Sequence, residues 1–288
     1  MIHMMDIFDS ISLKSDRKIA LDGIRTLWVK TSSQDICFYK GNQELEVKEY
    51  LSNRTEPARE EKKGDAFCLD LSLLQLQLIG SIGAERIELY VPENFVGQIY
   101  AESASGDISL DGQWNLENIQ MVSASGDIRS GRLSAQHFLI KSKSGDITIE
   151  EANGDRQFSS VSGDVEIGCG DGDTKADTTS GDLQIEHISG AAVLKTVSGD
   201  LKVSFQKVAG DTMLSSVSGD IHVRTEHKCE FGLEVSTKSG DIIVQPQQIR
   251  FVNQQNHHVT ALVGCDNEKQ IETSLSVSTV SGDIVVSN

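Results

Sequence analysis

The sequence predicts an all-β fold, a β-solenoid in which rungs of about 20 residues stack in register. Three observations predict it. Ser-Gly-Asp occurs nine times, each time followed by an apolar residue. The repeated aspartates are spaced by 20, 19, 18, 18, 18, 20, 21 and 42 residues, the last step being two periods. Pro is absent from 93 to 245, as expected where backbone amides are committed to ladders.

The repeat justifies the rung position by position. Its aspartates are Asp107, Asp127, Asp146, Asp164, Asp182, Asp200, Asp220, Asp241 and Asp283. Relative to each, position +1 is always apolar, and +3 is apolar except at Ser130. Position −6 is always apolar, from Ala101 to Val277; −4 is always Ser or Thr, from Ser103 to Thr279; −2 is always Ser. Strand side chains alternate with period two, so −6, −4 and −2 are read as the inward face of one strand and +1 and +3 as that of the next.

Between the two strands Gly and Asp are read as an outward-pointing corner, formed at Gly106, Gly126, Gly145, Gly163, Gly181, Gly199, Gly219, Gly240 and Gly282. Gly supplies the positive φ of a tight turn and Asp bonds neighbouring amides. Gly154, Gly172 and Gly190, each eight residues after its Asp, mark a second corner. Rungs about 4.8 Å apart would align the −4 hydroxyls into internal ladders that satisfy one another. The alternative fold is a run of stacked antiparallel hairpins with Gly-Asp in a type II′ turn. Identity at −4 is explained by stacking and is not required by a meander.

Residues 1–97 carry no Ser-Gly-Asp but show short apolar alternations, "LWVKT", "DICFY", "LEVKEY" and "AFCLDLSL". They are read as a β-rich section capping the stack, with 98–288 as the solenoid, since solenoids need atypical terminal units. At the other end, after "PQQIRFVNQQNHH", the chain stops inside "SGDIVVSN". That leaves the C-terminal end of the stack as an expected site of self-association.

Composition bounds the function. Lys and Arg number 26 against 43 Asp and Glu, a net charge of −17, which opposes nucleic acid as a partner. The opening "MIHMMDIFDSISLKSDRKIA" lacks the basic and apolar regions of a secretory signal, and "LDLSLLQLQLIG" is far shorter than the ~20 residues of a membrane span. These features predict a cytoplasmic protein with no transmembrane segment. Cys37, Cys68, Cys169, Cys229 and Cys265 are odd in number and scattered, as reduced thiols are.

The stretch "IELYVPENFVGQIYAESASGDISL", with Val91-Pro92 leading into the first of the successive Ser-Gly-Asp units, resembles the bacterial putative-adhesin β-repeat family, also called toast-rack domains. The resemblance covers essentially the whole chain. It implies a right-handed or hairpin-stacked β-solenoid, often encoded near envelope-stress or membrane-associated regulators, and association with the cell surface.

Chemistry is sought first in the aspartate column. Carboxylates about 4.8 Å apart repel by about 1 kcal/mol per neighbouring pair even in water. One compensation is bound Ca²⁺ on Asp107, Asp127, Asp146, Asp164, Asp182, Asp200, Asp220 and Asp241; the other is that each Asp caps its turn through amide hydrogen bonds. The stretch "GCGDGDTKA" from Gly168 partly echoes a calcium β-roll, with Lys175 in its apolar position. His222, His227, Cys229, His257 and His258 have metal-capable side chains at spacings that match no zinc motif.

The outward +2 column, Ser109, Arg129, Thr148, Glu166, Gln184, Lys202 and His222, reads as a mixed solvated face without a carboxylate pair for acid–base work. The −3 column, with Ala104, Ala124, Val161, Val197 and Val217, forms a mildly apolar outward stripe for a protein or glycan partner. The sequence therefore predicts a non-enzymatic structural or binding module, adhesin-like or envelope-associated, with no cofactor beyond calcium. The alternatives are an intracellular scaffold or stress-sensor partner and a carbohydrate-active β-solenoid enzyme.

Overall fold

The structure, a computed structural model, describes residues 10–72, 85–264 and 272–288. Cys265, residues 73–80 of the apolar stretch and the first nine residues of the chain lie outside them. Among the described residues there are twenty-four strands and no helix. The chain divides into two compact units, 1–133 and 134–288. The boundary between these units lies inside the repeat, and strands upstream of residue 97 pair parallel and in register with the first repeat strands.

In the second unit, β11 (Ile147–Ser159) spans both halves of a rung, and later rungs divide into two short strands. These are β12 (Val165–Asp171) and β13 (Thr174–Asp177), β14 (Leu183–Gly190) and β15 (Ala192–Lys195), and β16 (Leu201–Val208) and β17 (Asp211–Ser215), followed by β18 (Ile221–Thr225). Every first half pairs parallel with the next first half, in the register Ile147, Val165, Leu183, Leu201, Ile221. Second halves do the same, from Phe158 through Ala176 and Leu194 to Leu214. Parallel, in-register pairing identifies stacked rungs and excludes the antiparallel hairpins.

The last Ser-Gly-Asp unit does not end this stack. β23 (Ser274–Ser278) lies parallel between β17 and β19 (Phe231–Ser236). β24 (Ile284–Ser287) lies between β18 and β20 (Ile242–Val244). The terminal segment is thus paired on both sides, so the last strand of the chain is not itself the edge of the stack. The outermost half-rung, β19, is covered by antiparallel β22 (His258–Val263), itself paired with β21 (Ile249–Gln255).

The first unit uses the same device. β2 (Thr26–Thr31) lies parallel between β6 (Ala66–Asp70) and β8 (Gln98–Ser103), and β3 (Asp35–Gly41) between β7 (Arg86–Pro92) and β9 (Ile108–Ser123). Antiparallel β5 (Arg59–Lys63) covers β6; β4 (Leu45–Leu51), joined by β1 (Ser12–Ile19), covers β7.

The corner differs from its sequence reading. The Ser at −2 is exposed in every unit and the residue at −3 is exposed with it, whereas Gly106, Gly126, Gly145, Gly163, Gly181 and Gly199 are buried. The chain turns outward at −3 and −2, because the −4 oxygen accepts the N–H of the Gly three residues on, as in Gly163 to Ser160 at 2.9 Å and Gly199 to Thr196 at 3.0 Å. The same hydroxyl donates to the Gly carbonyl of the rung before, Thr196 to Gly181 at 3.3 Å. The −4 residues therefore bond turn backbone, and a hydroxyl-to-hydroxyl bond joins Thr31 to Ser103 at 3.1 Å. Nor is positive φ the reason for glycine, which among these nine only Gly240 and Gly282 show. A Cβ on Gly199 would sit 1.9 Å from the Gly181 carbonyl oxygen, so close stacking admits no side chain.

The aspartates complete the corner. Each carboxylate accepts the amide of the Asp stacked on it: Asp164 to Asp146 at 2.9 Å, then Asp182 to Asp164, Asp200 to Asp182, and Asp283 to Asp220, each at 2.8 Å. In the first unit Asp107 donates to Asp35 and Asp127 to Asp107, and Arg129 pairs with both Asp107 and Asp127. The turn-capping alternative is thus what the geometry shows at these corners.

Arg156 and Glu85 are two of the buried ionic groups in the packing. Arg156 is 3% exposed at the second corner. Its Nε donates to Thr174 at 2.7 Å and its remaining N–H groups to the carbonyls of Ala152, Gly170 and Gly172. Burial lowers its pKa to about 10. In the first unit Glu85 accepts from Gln34 at 2.8 Å, the Ser52 amide at 2.9 Å and Thr55 at 2.5 Å. Burial raises the Glu85 pKa, but these hydrogen bonds together outweigh it and hold the carboxyl below its ordinary value of 4.5.

Two expected outcomes follow from this packing. Gly199→Ala costs about 3 kcal/mol or more, while the neighbouring Ser198→Ala stays within about 0.5 kcal/mol; urea unfolding that gives the two variants equal midpoints would contradict the close-stacking account. Because the folded pKa of Glu85 is depressed, its stabilisation is present above pH 4.5 and is lost as pH falls through the folded value. The melting temperature of the wild type should therefore fall more steeply than that of Glu85→Gln between about pH 5 and pH 3; parallel curves would show that Glu85 does not contribute.

Candidate functional site

The alternation that buries Leu183, Ile185, Leu201, Val203, Ile221 and Val223 turns their neighbours outward. Gln184, Lys202, His222 and Val285 therefore form one row across β14, β16, β18 and β24, and Ser204, Arg224 and Ser287 form a second. At Glu186 and His187 the register between β14 and β16 shifts. His187, at φ 50°, is the one residue other than Gly with positive φ among the described residues. Such a bulge bends the strand and re-aims its side chains. Beyond Thr225 the chain turns through Glu226, His227 and Lys228, and the turn is held by the Cys229 amide on Glu226 and the Glu226 amide on Phe205, both at 3.0 Å.

These features shape a groove in the second unit. It consists of two concavities of about 330 Å³ each, which share Ser204 and Arg224. The first is also lined by Lys202 and His222, the second by His187, His227 and Lys228. Glu186 and Glu226 are the carboxylates on its walls, and Gln184 donates to Glu186 at 3.3 Å. Lys202, Arg224 and Lys228 have no ion-pair partner among the described residues, although acids outnumber bases 43 to 26 in the chain. Exposed cations without an ion-pair partner in an acidic chain can accept an anionic group from outside.

The residues singled out by sequence are distributed as follows. His222 and His227 reach the groove, one in each concavity; Cys229 is buried, and its thiol donates to the Gln206 carbonyl at 3.4 Å. His257 lies at the turn between β21 and β22, and His258 is the first residue of β22. Among the described residues no three His, Cys, Asp or Glu side chains converge as metal ligands would. The −3 stripe is exposed at Val161, Val197 and Val217, and rung insertion sets Val280 beside Val217. Arg224 and His187 were missed by sequence reasoning. Arg224 stands at +4, outside the aligned columns, and the bulge at His187 has no sequence signature.

No helix among the described residues is long and apolar enough to cross a membrane. No curated protein matches the chain. Two solved structures share its fold. A "putative adhesin" from Parabacteroides distasonis has a TM-score of 0.58 at 9% identity, over 96% of this chain and 97% of that one. A "putative adhesin" from Parabacteroides merdae has a TM-score of 0.56 at 8% identity, over 95% of each chain. The family model described as Toastrack DUF4097 matches residues 24–287, so the all-β rung architecture, its Ser-Gly-Asp corners and this match together establish that the chain belongs to the toast-rack family.

Proposed function

We propose that the chain is a non-enzymatic, adhesin-like binding module of the cell envelope, and that the groove across β14, β16 and β18 holds a carboxylate or sulfate group on a surface saccharide. The observation that carries this reading is the trio of unpaired cations, Lys202, Arg224 and Lys228, in one groove of an acidic chain. Ser204, Ser287 and Asn288 add donors suited to sugar hydroxyls. The volume suits one sugar residue rather than a long segment. The charge of −17 disfavours dense polyanions at long range, but screening beyond about 8 Å leaves a single anionic end group to the local cations. The names of the two fold neighbours support the envelope and adhesin part of the reading.

The test is surface plasmon resonance on immobilised sialyllactose and trigalacturonate, with lactose as the neutral reference. Binding to the acidic saccharides is expected to exceed that to lactose and to weaken about tenfold or more with Arg224→Ala, as loss of a charge-assisted contact implies. Equal responses on all three sugars, no response on any, or an unchanged response of Arg224→Ala would overturn the reading.

A further inference from the structure

The first unit presents a second surface with different chemistry. Aromatic residues make up only 5% of the chain, and of its two tryptophans Trp114 is fully buried. Trp28 is 48% exposed, although its neighbours Leu27 and Val29 are buried. Parallel registers place it in a row with Cys68 of β6 on one side and Tyr100 of β8 on the other, and Tyr100 is followed by Gln120 of β9. The row crosses three strand spacings, about 14 Å. The rings of Trp28 and Tyr100 lie 6.3 Å apart with a 48° tilt, side by side and not stacked face to face.

Polar groups on both sides hold this pair. The Tyr100 hydroxyl donates to Gln98 at 2.9 Å; Gln98 in turn donates to Glu117 at 3.5 Å, and Glu117 is paired with Arg25. On the other side Lys30 pairs with Glu102 at 3.0 Å. The Tyr100 ring is thereby fixed in orientation, with carboxylates and amides at its margins.

We infer that Trp28 and Tyr100 form a stacking platform for a neutral oligosaccharide. An aromatic face carries the negative lobe of the ring quadrupole and attracts the C–H groups on the flat side of a pyranose. The hydroxyls at the sugar's edge then meet Gln98 and Gln120, which accept or donate, and the Glu102 carboxylate, which accepts. Glu102 and Glu117 beside the rings repel an acidic sugar. A lipid surface is a poor fit, because burying the Arg25–Glu117 and Lys30–Glu102 pairs in an apolar phase is costly. This platform lies in the first unit and shares no residue with the groove of the second, so either assignment can fail alone.

The experiment is titration of the full chain with cellohexaose, mannohexaose and chitohexaose while tryptophan emission is recorded. A saturable change with at least one of them is expected, and Trp28→Ala should abolish it while raising Kd at least tenfold by calorimetry. Tyr100→Phe, which keeps the ring, should bind within about threefold of the wild type, whereas Tyr100→Ala should not. The emission of Trp114 and an unchanged melting temperature show that the variants are folded. No saturable change with any of the three sugars, or Trp28→Ala binding as the wild type does, would overturn the assignment.

Discussion

The fold depends on one interaction, the aspartate carboxylate that accepts the backbone amide of the next stacked aspartate at 2.8 to 2.9 Å. Corners break a β-ladder, and an amide left unpaired there costs about 1–3 kcal/mol. A carboxylate in that place supplies a charge-assisted bond worth roughly 1.5–3 kcal/mol, against about 1 kcal/mol of repulsion from its neighbour in water. The attraction wins at each rung, so like charges can stack without a bound cation. Gly and the −4 hydroxyl serve the same contact: the first lets adjacent corners approach, and the second satisfies the Gly amide on one side and the preceding Gly carbonyl on the other.

Once corners stack in this way, the faces are assembled rung by rung, in an order that is not always that of the chain. In the second unit the inserted terminal rung sets Val285 beside His222 and Ser287 beside Arg224, which completes the groove wall with residues more than sixty positions away. In the first unit insertion of β2 sets Trp28 between Cys68 and Tyr100. Both candidate surfaces therefore depend on strands slotted between rungs that are not their sequence neighbours. A parallel strand paired on both edges also has no open edge through which to recruit another chain.

Much of this architecture was legible in the sequence. The columns at −6, +1 and +3 named core residues that are buried apart from the half-buried Ile242 and Val244, and Gly154, Gly172 and Gly190 lie at close approaches to the rung before. Period-two alternation failed at −2, because the hydroxyl bond from −4 to Gly turns two residues outward. A tenth corner was readable but overlooked: Thr31, Ser33, Asp35, Ile36 and Phe38 occupy the −4, −2, 0, +1 and +3 positions, with Gln34 in place of Gly. Gln34 fits because the neighbouring rung presents the Glu85 carboxylate there and not a second tight corner. The groove was less legible. Its cations stand in columns of mixed composition, and neither rung insertion nor the bulge at His187 leaves a local pattern. Arg156 gave no signal, since a buried guanidinium bonded to carbonyls looks in sequence like any surface arginine.

The most direct test of the corner account compares Asp182→Asn with Asp182→Ala by amide hydrogen exchange at Asp200, whose N–H donates to Asp182 at 2.8 Å. Asn keeps an acceptor oxygen of the same reach; Ala removes it. The account predicts that the Asn variant retains protection at Asp200 and most of the wild-type stability. The Ala variant should lose that protection and about 1–3 kcal/mol of unfolding free energy. Full protection of Asp200 in Asp182→Ala would contradict the claim that the carboxylate ladder holds the rungs together.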